Sequence, residues 1–212
     1  MWNLPNTITI IRIALTPVIA LLPFIEGYWP KFLAFIIFAL TALTDLVDGY
    51  LARSRGEVTD LGKLLDPLAD KLLLIAALVP IYWIASERQD LYGIPFWGSI
   101  PLWVCLLLLG RELAMTVFRR FAQKRGVVIA AGSAGKLKTT IQNIFIGAVL
   151  AWFAFRDAAR SLGWQDKPFG RWWTEFHGGF VAVALALATV LTVYSFVIYL
   201  YRYRSVFSTR SR

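Results

Sequence analysis

Apolar residues run through this chain in blocks whose lengths match a lipid bilayer. Residues 176–201 contain no Asp, Glu, Lys or Arg, and neither do residues 91–110. About 20 apolar residues cross the hydrocarbon core, so both blocks are transmembrane candidates. Four shorter uncharged cores, 13–25, 32–44, 72–86 and 139–155, extend to spans through weakly polar flanks. The pattern predicts an all-α integral membrane protein of one domain, residues 1–212, with six transmembrane helices. The first ends near residue 25, kinked or stopped by Pro17 and Pro23. The others cover about 31–53, 60–84, 97–120, 135–155 and 176–201. Residues 2–7 read as a short interfacial entry, with Trp2 as anchor and Pro5 at a helix start. Gly93 and Pro95 mark a turn within 86–96. Residues 156–176, carrying Trp164, Trp172 and Trp173, read as a connection along the outer interface, and Tyr199, Tyr201 and Tyr203 as an aromatic belt.

Composition agrees with this pattern and charge orients it. The 212 residues are 58% hydrophobic, with a mean hydropathy of +0.61. The net charge of +9 is unevenly placed. Arg53, Arg55 and Lys63 fall between the second and third helices. Arg119, Arg120, Lys124, Arg125, Lys136 and Lys138 fall between the fourth and fifth, with no acid among them. Arg202, Arg204, Arg210 and Arg212 follow the sixth, while the remaining connections are balanced or poor in charge. The positive-inside rule therefore puts both termini at the cytoplasm, and the basic ends suit anionic lipid headgroups. Cations that hug helix ends do not form a nucleic-acid-binding domain. The N-terminus lacks the basic region and small-residue cleavage site of a signal peptide, so the first helix reads as a retained anchor. Cys105 stands alone within an apolar block, which excludes an intrachain disulfide. His177 is also alone and reads as a capping or interfacial residue.

Against this background, residues 44–71 (TDLVDGYLARSRGEVTDLGKLLDPLADK) stand apart. Asp45 and Asp48 end one apolar block, and Asp66 and Asp70 begin the next. Spacings of three and four put each pair on one helix face, so two facing helices present four carboxylates to one small volume. Carboxylates near hydrocarbon are costly unless paired, hydrated or bound to metal, and four together repel one another. A divalent-cation site relieves both costs. Oxygen-rich sites select hard cations such as Mg²⁺ or Mn²⁺, and such ions neutralise phosphate oxygens in phosphoryl transfer. Gly49 admits close approach of a phosphate or flat group, and Arg53, one turn on, offers a guanidinium fork.

Written with its spacing, the segment is Asp45-x2-Asp48-Gly49-x2-Ala52-Arg53-x8-Gly62-x3-Asp66-x3-Asp70. It resembles, at every defined position, the signature of the CDP-alcohol phosphotransferase family. The resemblance implies that a CDP-linked lipid sits over the carboxylates, that an acceptor hydroxyl attacks the phosphorus attached to the lipid alcohol, and that CMP leaves. It implies metal ligation by Asp45, Asp48 and Asp66, with Asp70 as base near or on a metal. Gly49, Arg53 and Thr59 then contact the CDP portion. It also implies a homodimer.

The segments NLPNTITIIRIALTPV at the start, LDPLADK around Asp66, GRELAMTVFRR at 110–120 and GKLKTTIQ at 135–142 are similar to one bacterial branch of that family, the phosphatidylglycerophosphate synthases. That likeness implies CDP-diacylglycerol as donor, sn-glycerol 3-phosphate as acceptor, and a cytoplasm-facing site in the inner membrane. A dianionic acceptor beside four acidic groups needs cations, and Arg111, Lys136 and Lys138 are the candidates for its phosphate. Glu112 is placed to orient Arg111 or Arg119. The same cations also satisfy positive-inside sorting with no binding role. A cardiolipin synthase of the same family, with phosphatidylglycerol as acceptor, is the nearest alternative. A small membrane transporter is a remote one, since it needs neither the Gly/Ala/Arg spacing nor carboxylates at cytoplasmic helix ends.

Overall fold

A computed structural model describes residues 4–55, 60–94, 98–127, 129 and 132–204. In chain order these form α1 (Leu4–Leu21), α2 (Tyr28–Arg55), α3 (Asp60–Glu87), α4 (Gln89–Tyr92), α5 (Leu102–Lys124), α6 (Ser133–Ser161) and α7 (Pro168–Arg202). No β-strand occurs among them. The six long helices lie where the apolar blocks predict, and α4 is one turn inside the 86–96 connection. Among the described residues, Asn6–Phe24, Leu65–Glu87, Gly135–Ser161 and Pro168–Arg202 are each long and apolar enough to cross a membrane, and Tyr28–Thr44 is a shorter apolar helix. Helix α5 falls outside that set because Arg111 and Glu112 sit at its middle and Arg119, Arg120 and Lys124 load its last turns. The chain is an all-α, multi-pass membrane protein.

The helix limits differ from expectation in instructive places. Helix α1 is already formed at Leu4, inside the stretch read as an interfacial entry. Pro17 lies within it without ending it, whereas Pro23 opens the 3₁₀ turn Leu22–Phe24 that does. The supposed connection 156–176 is mostly helix: α6 continues to Ser161 and α7 starts at Pro168. Phe169, Trp172, Trp173 and Phe176 recur at helical spacing, and Pro at the first helical position is preorganised for the turn. His177 consequently lies within α7, where Nε2 meets the Ala148 carbonyl oxygen at 2.9 Å and the ring stacks on Trp152. Tyr199 is no belt residue. It is buried with Met115, Phe118 and Ala122, and its hydroxyl accepts the Gly132 N–H.

The chain divides into two compact units, residues 1–100 with 146–182 and residues 101–145 with 183–212. In the first, Thr9 meets Asp66 and Arg12 meets Asp70, an order that rises along both helices. Helices α1 and α3 therefore run parallel. Beyond the end of α3, Tyr92 of α4 joins a polar network with Gly27, Lys31 and Asp157. Asp157 Oδ2 accepts from Lys31 Nζ at 2.6 Å and from Gly27 N at 2.9 Å, while Asp157 Oδ1 accepts from the Tyr92 hydroxyl. Gly27, at φ +105°, makes the reversal that aims its N–H there. Burial pushes the Tyr92 hydroxyl's pKa up, and its bond to Asp157 adds to that. Outside the network, the hydrogen bond from Arg88 holds the Glu26 carboxyl below its ordinary range.

Lys31 is buried, so removing its carboxylate strands a charge. Breaking one side of a buried pair costs about 3–5 kcal/mol, and Asp157→Ala is expected to lose stability of that order in SDS-titrated unfolding. Arg88→Ala, whose pair with Glu26 is exposed, should leave the curve in place. Superimposable curves for parent and Asp157→Ala would show that the network contributes no stability.

Candidate active site

The described core of the site lies between α1 and α3 in the first unit. Helix α1 is apolar toward the outside, with Ile11, Val18 and Leu21 exposed. Its buried face carries Asn6, Thr9, Arg12 and Thr16, then Ile19. These positions advance by three or four residues, so they form one stripe along the helix. A polar stripe turned inward and an apolar one turned outward is the pattern expected of a helix surrounded by lipid. Thr16 returns its hydroxyl to the Arg12 carbonyl at 2.9 Å, which satisfies that donor locally. Thr9 and Arg12 instead reach across to α3.

Two bonds define the contact. Thr9 Oγ1 donates to Asp66 Oδ1 at 2.9 Å, and Arg12 Nη2 donates to Asp70 Oδ1 at 2.9 Å. Arg12 is nearly enclosed, with 4% of its side chain exposed, whereas 54% of the Asp70 side chain is exposed. Asp66 is exposed as well. The cation is thus packed into the helix pair while the carboxylates face outward from it. Gly62, one turn before Asp66, is buried. Exposed all-oxygen donors of this kind fit a hard divalent cation.

The helical backbone of α2 runs unbroken through positions 45, 48, 49 and 53. The side chains of Asp45, Asp48 and Arg53, the surroundings of Gly49 and all of Thr59 lie outside the described residues.

The second unit brings together two of the three proposed acceptor-phosphate residues. Lys138 Nζ donates to Glu112 Oε1 at 2.6 Å, and Arg111 Nη1 donates to the same oxygen at 2.8 Å. Arg111 Nη2 also donates to Ser195 Oγ at 3.1 Å. Arg111 and Lys138 are buried, with 7% and 1% of their side chains exposed. Among the described residues, two cations against one carboxylate leave a surplus positive charge, and Arg111 Nε is buried with no hydrogen-bond partner. Lys136 is not in this cluster. It is exposed, and two helical positions separate it from Lys138, which turns it to the other side of α6. Glu112 orients Arg111, as its place in the sequence suggests, and gathers Lys138 too; among the described residues no bond to Arg119 accompanies these.

Sequence reasoning passed over Thr9 and Arg12. The available signals were a charged residue inside an otherwise apolar block and the three-residue steps from Asn6 to Thr9 to Arg12. Both point to a helix face that meets something polar.

The family model described as CDP-alcohol phosphatidyltransferase matches residues 2–201. A Bacillus subtilis protein named CDP-diacylglycerol–glycerol-3-phosphate 3-phosphatidyltransferase is 37% identical over 162 residues, covering 71% of this chain and 77% of its own. An Escherichia coli protein of the same name is 30% identical over 202 residues, covering 94% and 93%. A Mycobacterium tuberculosis protein named probable phosphatidylglycerophosphate synthase is 39% identical over 148 residues. That stretch is 68% of this chain and 64% of the mycobacterial protein, so the match spans less than two thirds of that relative's length.

Proposed function

Because the chain belongs to the CDP-alcohol phosphatidyltransferase family, we propose that it transfers the phosphatidyl group of CDP-diacylglycerol to sn-glycerol 3-phosphate, releasing phosphatidylglycerol phosphate and CMP. The observation that carries this reading is the Asp66 and Asp70 pair. The two carboxylates stand one turn apart on α3, are exposed, and each accepts a hydrogen bond from α1. The acceptor follows the names of relatives aligned over nearly the whole chain.

In this reading Asp45, Asp48, Asp66 and Asp70 hold Mg²⁺ or Mn²⁺. Bound there, the cation neutralises charge on the phosphate oxygens. Gly49, Arg53 and Thr59 hold the CDP portion of the donor. Asp70 takes the proton of the acceptor hydroxyl. The freed oxygen forms a bond to the phosphorus of the phosphatidyl group, the bond from that phosphorus to CMP breaks, and CMP carries away the electron pair. Arg111 and Lys138 dock the acceptor phosphate, with Lys136 as an outer cation. The site faces the cytoplasm from the inner membrane. Two features support this orientation: the basic connections, and the 17 residues of α3 from Asp70 to its end at Glu87, about 26 Å of helix, beyond which Tyr92 reaches Asp157. That length spans nearly the whole hydrocarbon core, so the aspartates and the Asp157 network suit opposite membrane faces. The 212 residues act as one domain within a homodimer.

CMP release from CDP-diacylglycerol in detergent with Mg²⁺ or Mn²⁺ tests the reaction. Release is expected with sn-glycerol 3-phosphate and not with phosphatidylglycerol. The reverse preference makes the protein a cardiolipin synthase, and no release with either acceptor removes the transferase reading.

The acceptor site has its own test. A hydrogen bond to a charged partner contributes about 1.5–3 kcal/mol, equal to roughly ten- to hundred-fold in affinity. Arg111→Ala and Lys138→Ala should each raise KM for glycerol 3-phosphate by that order and leave KM for CDP-diacylglycerol little changed. Lys124→Ala, in the exposed last turn of α5, should be near neutral. Equal effects at all three positions would mean that these cations only set topology.

A further inference from the structure

Arg12 has no part in the reaction as described, yet it is a cation buried within an apolar helix and bonded to the proposed base. Such a residue is costly to place unless it serves the site. We propose that α1 is a positioning strut for the carboxylates of α3: Thr9 and Arg12 hold Asp66 and Asp70 by their Oδ1 atoms and so set how each carboxylate faces substrate. The inference rests on the reading of Asp70 as base.

Three observations support it. First, the terminal torsion of an Asp side chain is broad, so an exposed carboxylate on a helix has no single orientation of its own. A donor fixed from outside the helix supplies one. Second, both donors belong to one rigid element, three residues apart, and both acceptors belong to another, four residues apart. The two carboxylates are therefore held in register with each other as well as with α1. Third, the pairs are asymmetric. The donors are enclosed and the acceptors are open, with 4% of the Arg12 side chain exposed against 54% for Asp70. A staple built for stability buries both partners, because half-exposed ion pairs contribute little. An arrangement that buries the positioning group and leaves the positioned side chain half exposed suits a site. Arg12 is a positioning residue here and acts through the Asp70 carboxylate.

The test uses the full-length protein in detergent, with steady-state kinetics for both substrates and Mn²⁺ binding followed by the electron paramagnetic resonance of the free ion. Loss of an outer partner of a metal-site carboxylate typically costs 10–100-fold, so Arg12→Gln is expected to lower kcat by about that factor, with both KM values within about threefold and Mn²⁺ still bound. Arg12→Lys, which keeps one donor and the charge, should recover part of the loss. Thr9→Val, close to isosteric and without change of charge, should weaken Mn²⁺ binding by about tenfold. Arg12→Gln combined with Asp70→Asn should be no slower than Asp70→Asn alone, because residues acting through one another are not additive. Four results overturn the proposal. They are wild-type kcat in Arg12→Gln, fully additive losses in the double variant, Mn²⁺ affinity in Thr9→Val equal to the parent's, and joint loss of Mn²⁺ and CDP-diacylglycerol binding in both Arg12 variants, which marks a folding role. If Asp70→Asn itself retains activity, the base assignment fails and takes the strut with it. If Asp70→Asn is inactive while Arg12→Gln is unaffected, only the strut fails.

Discussion

Asp66→Asn and Asp48→Asn are each expected to leave the protein in the membrane and almost eliminate CMP release. The Asp66 change is the cleaner of the two. Its Oδ1 accepts a hydrogen bond from Thr9 at 2.9 Å, and the carbonyl oxygen of Asn accepts that bond equally well. Helix register and side-chain placement survive, so the change isolates the carboxylate's charge. On the metal-site reading charge is what the change removes, because a neutral amide holds a hard divalent cation less well than a carboxylate. Losing one preorganised electrostatic contribution to a transition state typically costs about 10²–10³ in rate, and loss of the cation should add to that. Mn²⁺ titration of CMP release measures both effects: the activation curve should move to higher Mn²⁺, and its plateau should stay low. An Asp48→Asn protein that turns over near the parent rate removes the metal-site reading.

Asp70→Asn is expected to separate chemistry from binding. General-base assistance contributes roughly 10²–10⁴-fold, and kcat should fall by at least that much. Asn again accepts the Arg12 hydrogen bond through its carbonyl oxygen, so the side chain stays tied to α1 while losing its ability to take a proton. CDP-diacylglycerol should bind nearly as in the parent, since the nucleotide contacts are assigned to residues of α2 and of the segment before α3. The measurement is a competition assay with labelled donor lipid, run beside Asp48→Asn. Equal weakening of donor binding in the two variants would contradict this division of labour between base and metal ligands.

Much of this protein is legible from local sequence because a bilayer imposes local rules. The spans of α1, α3, α6 and α7 follow from uncharged blocks of the right length, and the motif positions Asp45 to Asp70 fall at the facing ends of α2 and α3, where the apolar blocks stop. Membrane-spanning backbone must satisfy its own hydrogen bonds, so a long apolar block has little choice but helix. Where that constraint relaxes, the reading slips. Residues 156–176 contain charges and tryptophans, so they look like an interface connection, yet their aromatic residues recur at helical spacing and extend α6 and α7. Lys136 and Lys138 look equivalent in a basic loop, but the turn of α6 separates them, burying one on Glu112 and exposing the other.

Pairing across helices was decided only by the tertiary structure. Thr9 and Asp66 are 57 residues apart, Arg12 and Asp70 are 58, and Lys31 and Asp157 are 126. Hydropathy says that α1 and α3 cross a membrane. With the alternation of spans it gives them the same direction, but it does not say that they run side by side, or which face of α1 turns inward, because rotation and register come from packing between elements. A cation in an apolar block can be a helix-end anchor, a lipid contact or a partner for a distant carboxylate, and composition is the same in all three. The buried stripe of Asn6, Thr9, Arg12 and Thr16 resolves that choice for Arg12, since a buried charge finds its energy minimum only against a specific partner.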